Sequence, residues 1–268
     1  MQKVVLITGA TAGMGKVMAG SLAENDYQVF ATGRNIPNES SHQNLYYRYL
    51  DVKNNDSVKG AVSGILEQFH RIDILINCAG LGLAGPTEEI PFEEIYNLFE
   101  TNFFGTIRVI RQIIPVMRNQ GNGLIVNMSS IGGRIGLPFQ SIYSSSKFAI
   151  ESLTEALRIE LKPFGIKVCM IEPGDYHTSA FVNRRNIIPA KESPYQRRLK
   201  DYFDLLDNNI HKGSNPEALG KLILKIVSSG KPRRRYKSGK CIEKMTPLAG
   251  SLLPNPVFEW LLARFYKI

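Results

Sequence analysis

The chain has 268 residues, of which 43% are hydrophobic and 21% are charged, and its formal net charge is +9. No apolar stretch approaches the roughly 20 residues that a membrane span needs, and no secretory signal pattern is visible. The three cysteines form no Cys-x-x-Cys pair, which argues against a zinc site. We therefore predict a reduced, cytoplasmic globular protein without a metal. The positive charge favours anionic partners without distinguishing a phosphorylated cofactor from lipid or nucleic acid.

Short apolar runs alternate with longer helical patterns along the chain. Six runs are rich in Val and Ile and apolar on both faces, which predicts buried parallel strands at 4–8, 28–32, 46–52, 72–77, 124–129 and 166–171. Helices are predicted near 14–25, 55–70, 92–119, 142–163 and 216–229. Strand followed by helix, repeated in this way, predicts an α/β Rossmann-type fold, a doubly wound parallel sheet with helices on both faces.

Three segments depart from this alternation. Residues 175–213 form an insertion rich in Arg, Tyr, Phe and Asn, residues 231–240 are strongly basic, and about 245–268 is an amphipathic, aromatic tail. None of them looks like a separate domain, so we expect a single domain over 1–268. The basic stretch and the tail have three possible partners: the domain itself, a neighbouring subunit or an anionic membrane, of which the membrane is not favoured.

The first predicted strand runs into a glycine-rich turn. Closely spaced glycines let the backbone turn sharply and approach a ligand, and the helix N-terminus then offers free N–H groups to phosphates. We predict a dinucleotide pyrophosphate site formed by Gly9, Thr11, Ala12, Gly13, Met14 and Gly15. A tight turn without a ligand is the less favoured alternative.

The end of the second strand bears on which dinucleotide is bound. An acidic residue at this place would accept hydrogen bonds from a ribose 2′-hydroxyl and repel a 2′-phosphate. Gly33 stands there instead, and Arg34 follows with a planar fork suited to phosphate. We interpret this pair as a preference for NADP(H) over NAD(H). The alternative is that Arg34 is only a surface charge.

A tyrosine and a lysine form the candidate catalytic pair. If residues 142–163 are helical, Tyr143 and Lys147 lie four positions apart on one face. A nearby ammonium lowers the pKa of a phenol, which ordinarily titrates at about pH 10, and an oxidised nicotinamide would act in the same direction. Tyr143 would then serve as a general acid and base near neutral pH. Ser130 lies just past a predicted strand, at the edge where ligands bind in this architecture, and can meet Tyr143 there.

These motifs resemble the short-chain dehydrogenase/reductase family over residues 3 to about 230. The resemblance includes the segment from Asn77 to Gly80, in which Cys78 replaces the family's second Asn, and the Pro173-Gly174 pair. It implies catalytic roles for Asn102, Ser130, Tyr143 and Lys147. It also implies a cofactor site that adds, to the glycine turn and Arg34, the residues Asp51, Val52, Asn77, Ala79, Gly80, Tyr143, Lys147, Pro173, Gly174, Tyr176 and Thr178.

The catalytic roles that the resemblance implies form one mechanism. Ser130 would hydrogen-bond the carbonyl oxygen, and Tyr143 would donate a proton to the developing alkoxide. Lys147 would lower the pKa of Tyr143 and bind the ribose hydroxyls, and Asn102 would hold a water that connects to Lys147. The nicotinamide carries the hydride, so the expected reaction interconverts a carbonyl and an alcohol.

The remaining implied roles concern the cofactor. Asp51 would bond the adenine amino group and Val52 would pack on the ring. Tyr176 would lie near the nicotinamide, and Thr178 near its carboxamide. A helix-capping role for Asp51 is an alternative that does not exclude the first.

The loops expected to cover the strand ends, 81–90, 131–141 and 175–213, carry apolar and aromatic residues. Such a lining suits a lipophilic carbonyl such as a steroid, retinoid or acyl chain, and the alternative is ordinary core beneath a lid. The C-terminal features look similar to the branch that holds 17β-hydroxysteroid and retinol dehydrogenases. The apolar and aromatic residues that these loops carry are Leu81, Leu83, Ile135, Leu137, Phe139, Tyr176, Phe181, Tyr202 and Phe203.

Two other functions compete with an enzyme. A nucleotide-binding regulator without turnover would predict loss of Ser130, Tyr143 or Lys147, and all three are present. A membrane-associated adaptor would need the basic groups to form one patch. We expect a small-molecule substrate, no nucleic acid partner, and a homodimer or homotetramer formed through the helices near 92–119 and 142–163, as the resemblance implies.

Overall fold

The structure, a computed structural model, describes residues 2–40, 42–178 and 184–268. The described strands are β1 (Val4–Thr8), β2 (Gln28–Gly33), β3 (Leu45–Tyr49), β4 (Ile74–Asn77), β5 (Leu83–Ala84), β6 (Gly123–Met128), β7 (Ile166–Pro173), β8 (Arg185–Asn186) and β9 (Arg235–Ser238). Seven of them form one parallel sheet in the order β3-β2-β1-β4-β6-β7-β9. The short strands β5 and β8 pair separately.

Helices follow the strands in the order that the sequence predicted. They are α1 (Gly13–Ala23), α2 (Asn55–Phe69), α3 (Phe92–Phe99), α4 (Gly105–Gln120), α5 (Ser141–Glu160), α6 (Gln196–His211), α7 (Glu217–Val227), α8 (Cys241–Leu252) and α9 (Asn255–Tyr266). A π-helical turn, Glu100–Phe104, joins α3 to α4. The predicted helix near 92–119 is therefore one helical run with a wider turn inside it.

The helices pack on both faces of the sheet. Helices α1 and α7 cover one face, where Leu22 and Ile223 join a buried cluster that includes Ile7 of β1. Helices α2, α4 and α5 cover the other face, where Ile113 joins a cluster that includes Leu6. Successive side chains of a strand point to opposite faces, which explains why β1 supplies both clusters and is buried throughout. The predicted doubly wound α/β sheet is confirmed.

One predicted strand ends earlier than expected. The strand predicted at 46–52 ends at Tyr49, so Asp51 and Val52 follow β3 instead of lying in it. β3 is at the edge of the sheet, and most of its side chains are only partly buried; beyond it, the Leu50 N–H still donates to the Gly33 carbonyl of β2 at 3.0 Å.

The second half of the chain contains elements that the sequence analysis missed. Helix α6 lies inside the insertion at 175–213 and buries Leu199, Tyr202 and Leu206, a spacing that presents one face of a helix. The basic stretch contains β9, which pairs with β7 although its sequence Arg-Tyr-Lys-Ser has no apolar run. Apolar periodicity could not have found it.

The amphipathic tail forms α8 and α9. One side of α9 packs on the body of the protein, where Tyr266 and Leu262 join a cluster with Tyr202. The opposite side leaves Trp260 and Phe265 exposed. In the described part of the chain, no helix combines the length and the apolar character required to cross a membrane. Over the same residues, no three His, Cys, Asp or Glu side chains are grouped so that they could hold a metal ion.

Candidate active site

The glycine turn leaves a cradle at the N-terminus of α1. Gly9 has φ +64°, and a Cβ there would lie 2.7 Å from the Cα of Ala79, so only glycine fits. Ala12 stands at the N-cap with no side-chain hydrogen bond, and the first turn of α1 contains no acidic residue. The first N–H groups of the helix are thus free and carry its positive dipole end, which fits a pyrophosphate.

Polar contacts fix the ends of β1 and β4 against each other. The Thr8 hydroxyl accepts hydrogen bonds from the backbone N–H groups of Cys78, at 3.1 Å, and Ala79, at 3.2 Å. Asn77 donates from Nδ2 to Oδ1 of Asn127 at 2.9 Å, and its own Oδ1 is buried without a partner among the described residues. The predicted segment from Asn77 to Gly80 therefore lies beside the glycine turn.

The end of β2 lies next to the same turn. The backbone N–H of Ala10 donates to the Thr32 carbonyl at 2.8 Å. A Cβ at Gly33 would lie 2.7 Å from Oγ1 of Thr11, so an acidic side chain at Gly33 would have to displace Thr11. Arg34 follows and is exposed. The position that the sequence analysis assigned to a 2′-phosphate thus adjoins the glycine turn, and Gly33 and Arg34 place no acidic side chain there.

Asp51 and Val52 lie in the loop after β3. Asp51 accepts a hydrogen bond from the N–H of Lys53 at 3.0 Å, and its own N–H donates to the Ser57 hydroxyl at 2.9 Å. Val52 is buried beside Gly105, where a Cβ would lie 2.8 Å from its Cγ2. The predicted helix cap belongs to Asn54, whose Oδ1 accepts from Ser57 N–H at 2.9 Å. The adenine roles of Asp51 and Val52 stay predictions.

Ser130, Tyr143 and Lys147 meet at the carboxyl edge of the sheet. Ser130 lies two residues beyond Met128, the last residue of β6, and its hydroxyl accepts from Gly132 N–H at 3.1 Å. The hydroxyls of Ser130 and Tyr143 interact. Lys147 donates from Nζ to the Met128 carbonyl at 3.0 Å, and Nζ lies 5.8 Å from the centroid of the Tyr143 ring.

The electrostatics of this group correct one prediction. Burial raises the pKa of Tyr143 above its ordinary value, the Ser130 hydroxyl opposes that change, and the negative charge of Asp175 adds to it. Burial also lowers the pKa of Lys147 to about 8, against a smaller opposing effect of Cys78. The pKa of Tyr143 is therefore raised by the protein's own groups, where the sequence analysis predicted a lowered value, because removal from water is the largest effect.

Asn102 lies in the π-helical turn and its amide is fully engaged. Its Oδ1 accepts from Leu81 N–H at 2.7 Å, and its Nδ2 donates to the Leu81 carbonyl at 3.0 Å and to the Ser146 hydroxyl at 3.1 Å. These bonds hold the loop after β4 against α5. π-Helical turns often occur at functional sites, and this one contains the asparagine that joins the loop to α5. The water-relay role of Asn102 stays a prediction.

The loop after β7 contains the other predicted cofactor residues. The N–H of Gly174 donates to the Ser238 carbonyl at 2.7 Å, which continues the β7–β9 pairing beyond Pro173. The ring of Tyr176 is fully buried, and its hydroxyl bonds the Ser238 hydroxyl. The hydroxyl of Thr178 is buried and has no partner among the described residues. A nicotinamide contact of Tyr176 would therefore have to use its main chain.

A buried charge network stands behind this edge and was missed by the sequence analysis. Glu172, 1% exposed, forms ion pairs with Nε of Arg235 at 2.9 Å and with Nη1 of Arg134 at 3.6 Å, and neither of its oxygens makes a hydrogen bond to a described residue. Arg235 also pairs with Glu151 of α5 at 2.9 Å, and with Glu155. Glu172 inside an apolar strand was the one available signal. The network ties β9 to β7 and to the helix that carries Tyr143 and Lys147.

The predicted substrate loops gather aromatic side chains over the edge. Tyr202 is buried, accepts from Nε2 of Gln140 at 2.8 Å, and packs edge-on against Phe139 at 5.2 Å between ring centroids. Beside it, a cavity of about 330 Å³ is lined by Gly136, Leu137, Pro138, Ser141, Glu259, Leu262, Ala263 and Ile268. Phe181 lies outside the described residues. Most of the other predicted lining residues, among them Leu81, Leu83, Ile135 and Phe203, are buried or partly buried.

A profile of the family described as short chain dehydrogenase matches residues 3–187. The chain therefore belongs to the short-chain dehydrogenase family and is an oxidoreductase. Among its relatives, a 3-ketodihydrosphingosine reductase from Bacteroides thetaiotaomicron is 37% identical over 99% of this chain and 98% of its own length.

Two animal relatives represent the branch that the sequence analysis named. Retinol dehydrogenase 8 from Bos taurus is 32% identical over 95% of this chain and 86% of its own length. Human 17-beta-hydroxysteroid dehydrogenase type 1 is 31% identical over 94% of this chain and 81% of its own length.

Solved structures share the fold. A short-chain dehydrogenase from Streptomyces avermitilis superimposes with a TM-score of 0.83 at 28% identity, covering 100% of this chain and 97% of that one. ElxO, in a structure with NADP bound, superimposes with a TM-score of 0.73 at 27% identity over 89% of this chain and 96% of its own.

Proposed function

We propose that the protein is an NADP(H)-dependent oxidoreductase that interconverts a carbonyl and a secondary or primary alcohol on a lipophilic substrate. The observation that carries this proposal is the meeting of Ser130, Tyr143 and Lys147 at the sheet edge that also carries the glycine turn. Membership of an oxidoreductase family supports it.

The residues present fit a nicotinamide dinucleotide. The free N–H groups at the start of α1 would hold the pyrophosphate, and Lys147 would bind the ribose hydroxyls. The buried Thr178 hydroxyl, which has no partner among the described residues, would bond the carboxamide. When bound, the reduced cofactor supplies the hydride.

The protein's own groups manage the proton. The Ser130 hydroxyl would donate to the carbonyl oxygen, and the Tyr143 hydroxyl would transfer its proton as negative charge develops on that oxygen. Because its pKa is raised, Tyr143 is protonated at neutral pH, which suits reduction. The positive charge of Lys147 stabilises the phenolate that remains after transfer.

The end of β2 supports the proposed preference for NADP over NAD. Arg34 is exposed and offers a planar, bidentate donor to a 2′-phosphate. Thr11 occupies the space that an acidic residue at position 33 would need. The NADP-bound state of ElxO is consistent with this choice.

The substrate is proposed to carry a long apolar chain. Aromatic rings of the loops and of the tail, including Phe139, Tyr202 and Tyr266, lie above the edge, and the adjoining cavity is lined mainly by apolar residues. The 3-ketodihydrosphingosine reductase is 37% identical to this chain, against 32% for the retinol dehydrogenase and 31% for the steroid dehydrogenase. A long-chain 3-ketone is therefore the first substrate to test, before steroids and retinoids.

We also propose a homodimer or homotetramer through α3, α4 and α5, with a cytoplasmic location as predicted from the sequence. Phe92, Tyr96, Phe104, Phe148 and Ile159 on these helices and the π-turn are exposed apolar side chains, with 76% of Ile159 accessible. Exposed large apolar groups on neighbouring helices are typical of subunit interfaces.

The test is the rate of NADPH oxidation with a long-chain 3-ketone, a steroid ketone, retinal and a short aliphatic ketone. We expect the long-chain ketone to exceed the short one by roughly tenfold or more in kcat/KM, since each buried methylene adds binding energy. Substitution of NADH for NADPH measures the cofactor preference in the same assay. No ketone-dependent oxidation of either nucleotide would overturn the proposed function.

A further inference from the structure

Helices α8 and α9 carry much of the apolar surface that the protein exposes. Half of the large hydrophobic side chains exposed among the described residues lie within residues 242–268. Single exposed apolar residues are ordinary on a protein surface, whereas a group of them marks an interaction site. The two helices therefore call for a partner that covers them.

The exposed side chains of α8 follow the helical repeat. Ile242, Met245, Leu248 and Leu252 are spaced by three or four residues. At about 100° per residue, the four positions fall within roughly one third of the helix circumference. They form one apolar stripe that faces solvent.

Helix α9 carries a second stripe on the side away from the body of the protein. It consists of the exposed side chains of Val257, Trp260, Leu261 and Phe265. The guanidinium carbon of Arg264 lies 5.7 Å from the centroid of the Trp260 ring, so a cation stands within this stripe.

The two stripes lie on helices that pack against each other. A Cβ at Gly250 of α8 would lie 3.0 Å from Cζ of Phe258 in α9. Together the stripes form the α8–α9 surface. Ile268 is exposed at the end of the chain and also lines the cavity beside Tyr202, so the α8–α9 surface borders that cavity.

The acidic groups of this segment lie outside the stripes. Residues 231–268 contain nine Lys and Arg against two Glu, so most of the net charge of +9 lies here. Glu243 is turned inward, where its carboxylate accepts from the N–H groups of Lys240 at 2.7 Å and Asp175 at 3.3 Å. Glu259 lies on the opposite side of α9 from the stripe and lines the cavity.

Cations stand beside the stripes instead. Lys237 is exposed and donates from Nζ to the Lys244 carbonyl of α8 at 3.0 Å. Arg264 and Lys267 are exposed on α9 and at its end. Apolar stripes flanked by cations are complementary to an anionic lipid surface, because the apolar groups enter the acyl boundary and the cations meet the headgroups.

A second copy of the chain is a poorer partner for the α8–α9 surface. A twofold contact places the same surface on both subunits, so the cations of one copy would face those of the other. Like charges that face each other across an interface oppose association. A lipid surface satisfies the apolar and the cationic side chains together.

We propose that the α8–α9 surface binds the protein to the face of an anionic lipid membrane without crossing it. The inference goes beyond the proposed reductase function and does not depend on it. Binding in this way would bring the cavity that Ile268 lines to the lipid boundary, from which a lipophilic molecule can enter.

The chain's single tryptophan is the probe for the first experiment. Because Trp260 lies in the stripe, its fluorescence should shift to shorter wavelength with phosphatidylcholine vesicles that contain about one third phosphatidylserine. Pure phosphatidylcholine should give a much weaker shift, and added salt should weaken binding to the anionic vesicles. No binding to the anionic vesicles, or equal binding to both kinds, would overturn the proposal. The assay needs neither nucleotide nor ketone, so its outcome is independent of the reductase proposal.

Leu252→Glu tests the apolar contribution at a side chain that is 73% exposed. It should weaken vesicle binding by roughly 10- to 100-fold, because one buried leucine is lost. Ile188→Glu, at a side chain 85% exposed outside the surface, is the matched control and should bind like wild type. Wild-type binding by Leu252→Glu would contradict the proposal. So would dissociation of an oligomer in Leu252→Glu without lipid, measured by sedimentation velocity, since a second copy would then cover the surface.

The charged contribution is tested by removing two cations. Lys237→Gln combined with Lys267→Gln should weaken binding to the anionic vesicles by roughly fivefold for each lost charge. Lys59→Gln combined with Lys221→Gln, at exposed positions of α2 and α7, lowers the net charge equally and should bind like wild type. Equal weakening by both pairs would reveal a general attraction of a basic protein and would refute the assigned surface.

Discussion

The nucleotide side and the substrate side of the cleft are built from different kinds of contact. On the nucleotide side, residues 8–80, main-chain bonds and close backbone approaches position the cradle, as at Gly9 against Ala79. On the substrate side, side chains from distant segments meet, as Tyr202 of α6 meets Tyr266 of α9 at 5.5 Å between ring centroids. The comparison teaches that local motifs specify cofactor binding, whereas substrate choice depends on long-range packing.

The largest expected effect separates chemistry from cofactor binding. Tyr143→Phe removes the proton donor and should lower kcat by roughly 10²- to 10⁴-fold, because general acid catalysis contributes that much. NADPH affinity, measured by its fluorescence on binding, should change little, since the nucleotide cradle is untouched. Tyr96→Phe, at a tyrosine that is 70% exposed on α3, is the control. Retained turnover in Tyr143→Phe would contradict the assigned chemistry.

A second substitution tests the charge network that ties β9 to β7 and α5. Arg235→Ala removes the cation of buried Glu151 and leaves buried Glu172 with only the more distant Arg134, and it should lower the free energy of unfolding by about 3–5 kcal/mol, measured in urea. Burial already raises the pKa of Glu172 and Arg235 opposes that change, so removal of Arg235 raises this pKa further and the loss of stability should grow as pH rises. The exposed neighbour Arg233→Ala should stay within about 0.5 kcal/mol of wild type. Equal free energies of unfolding for Arg235→Ala and Arg233→Ala would show that the charge network does not stabilise the fold.

A third substitution separates stability from function within the site. Lys147 has a folded pKa of about 8 against 10.5 for the unperturbed group, so below pH 8 the folded protein bears the cost of its buried charge. Lys147→Met should therefore raise the stability at pH 7, by roughly 2–3 kcal/mol after loss of the bond to Met128, while it lowers activity. As pH rises from 8 to 10.5 the unfolded wild type holds more protons than the folded form, so the difference should shrink.

The control for that prediction is Lys221→Met, at an exposed position of α7. Its stability relative to wild type should not vary over the same pH range. A destabilised Lys147→Met at pH 7 would mean that the lysine is held by stronger interactions than the Met128 carbonyl provides.

The smallest expected effect sharpens the nucleotide side alone. Arg34→Ala should raise the KM for NADPH by roughly 10- to 100-fold and leave the KM for NADH nearly unchanged, because only NADPH carries the 2′-phosphate. Lys167→Ala, at the opposite end of the sheet in β7, removes the same charge without this effect. Parallel changes for both nucleotides would assign Arg34 to general attraction of anions.

The sequence predicts the nucleotide side well because its signals are local. Apolar runs predicted the buried strands. Residue spacing within one short segment predicted the glycine turn, and spacing within another predicted the Tyr143–Lys147 pair. Strand β9 escaped prediction because its position depends on the carboxylates that surround Arg235, residues more than sixty positions away. The direction in which the pKa of Tyr143 shifts was not predicted for a similar reason, since burial is a property of the assembled cleft.

The position of β9 also constrains how the protein can be made. The acidic groups of β7 and α5 meet their arginine only once residue 235 has been synthesised, more than sixty residues after β7. Until then a nascent chain exposes an unfinished sheet edge at β7 and uncompensated carboxylates behind it. The sheet is thus complete only after β9 has left the ribosome, and a chain stalled before this strand would be a substrate for chaperones and proteases.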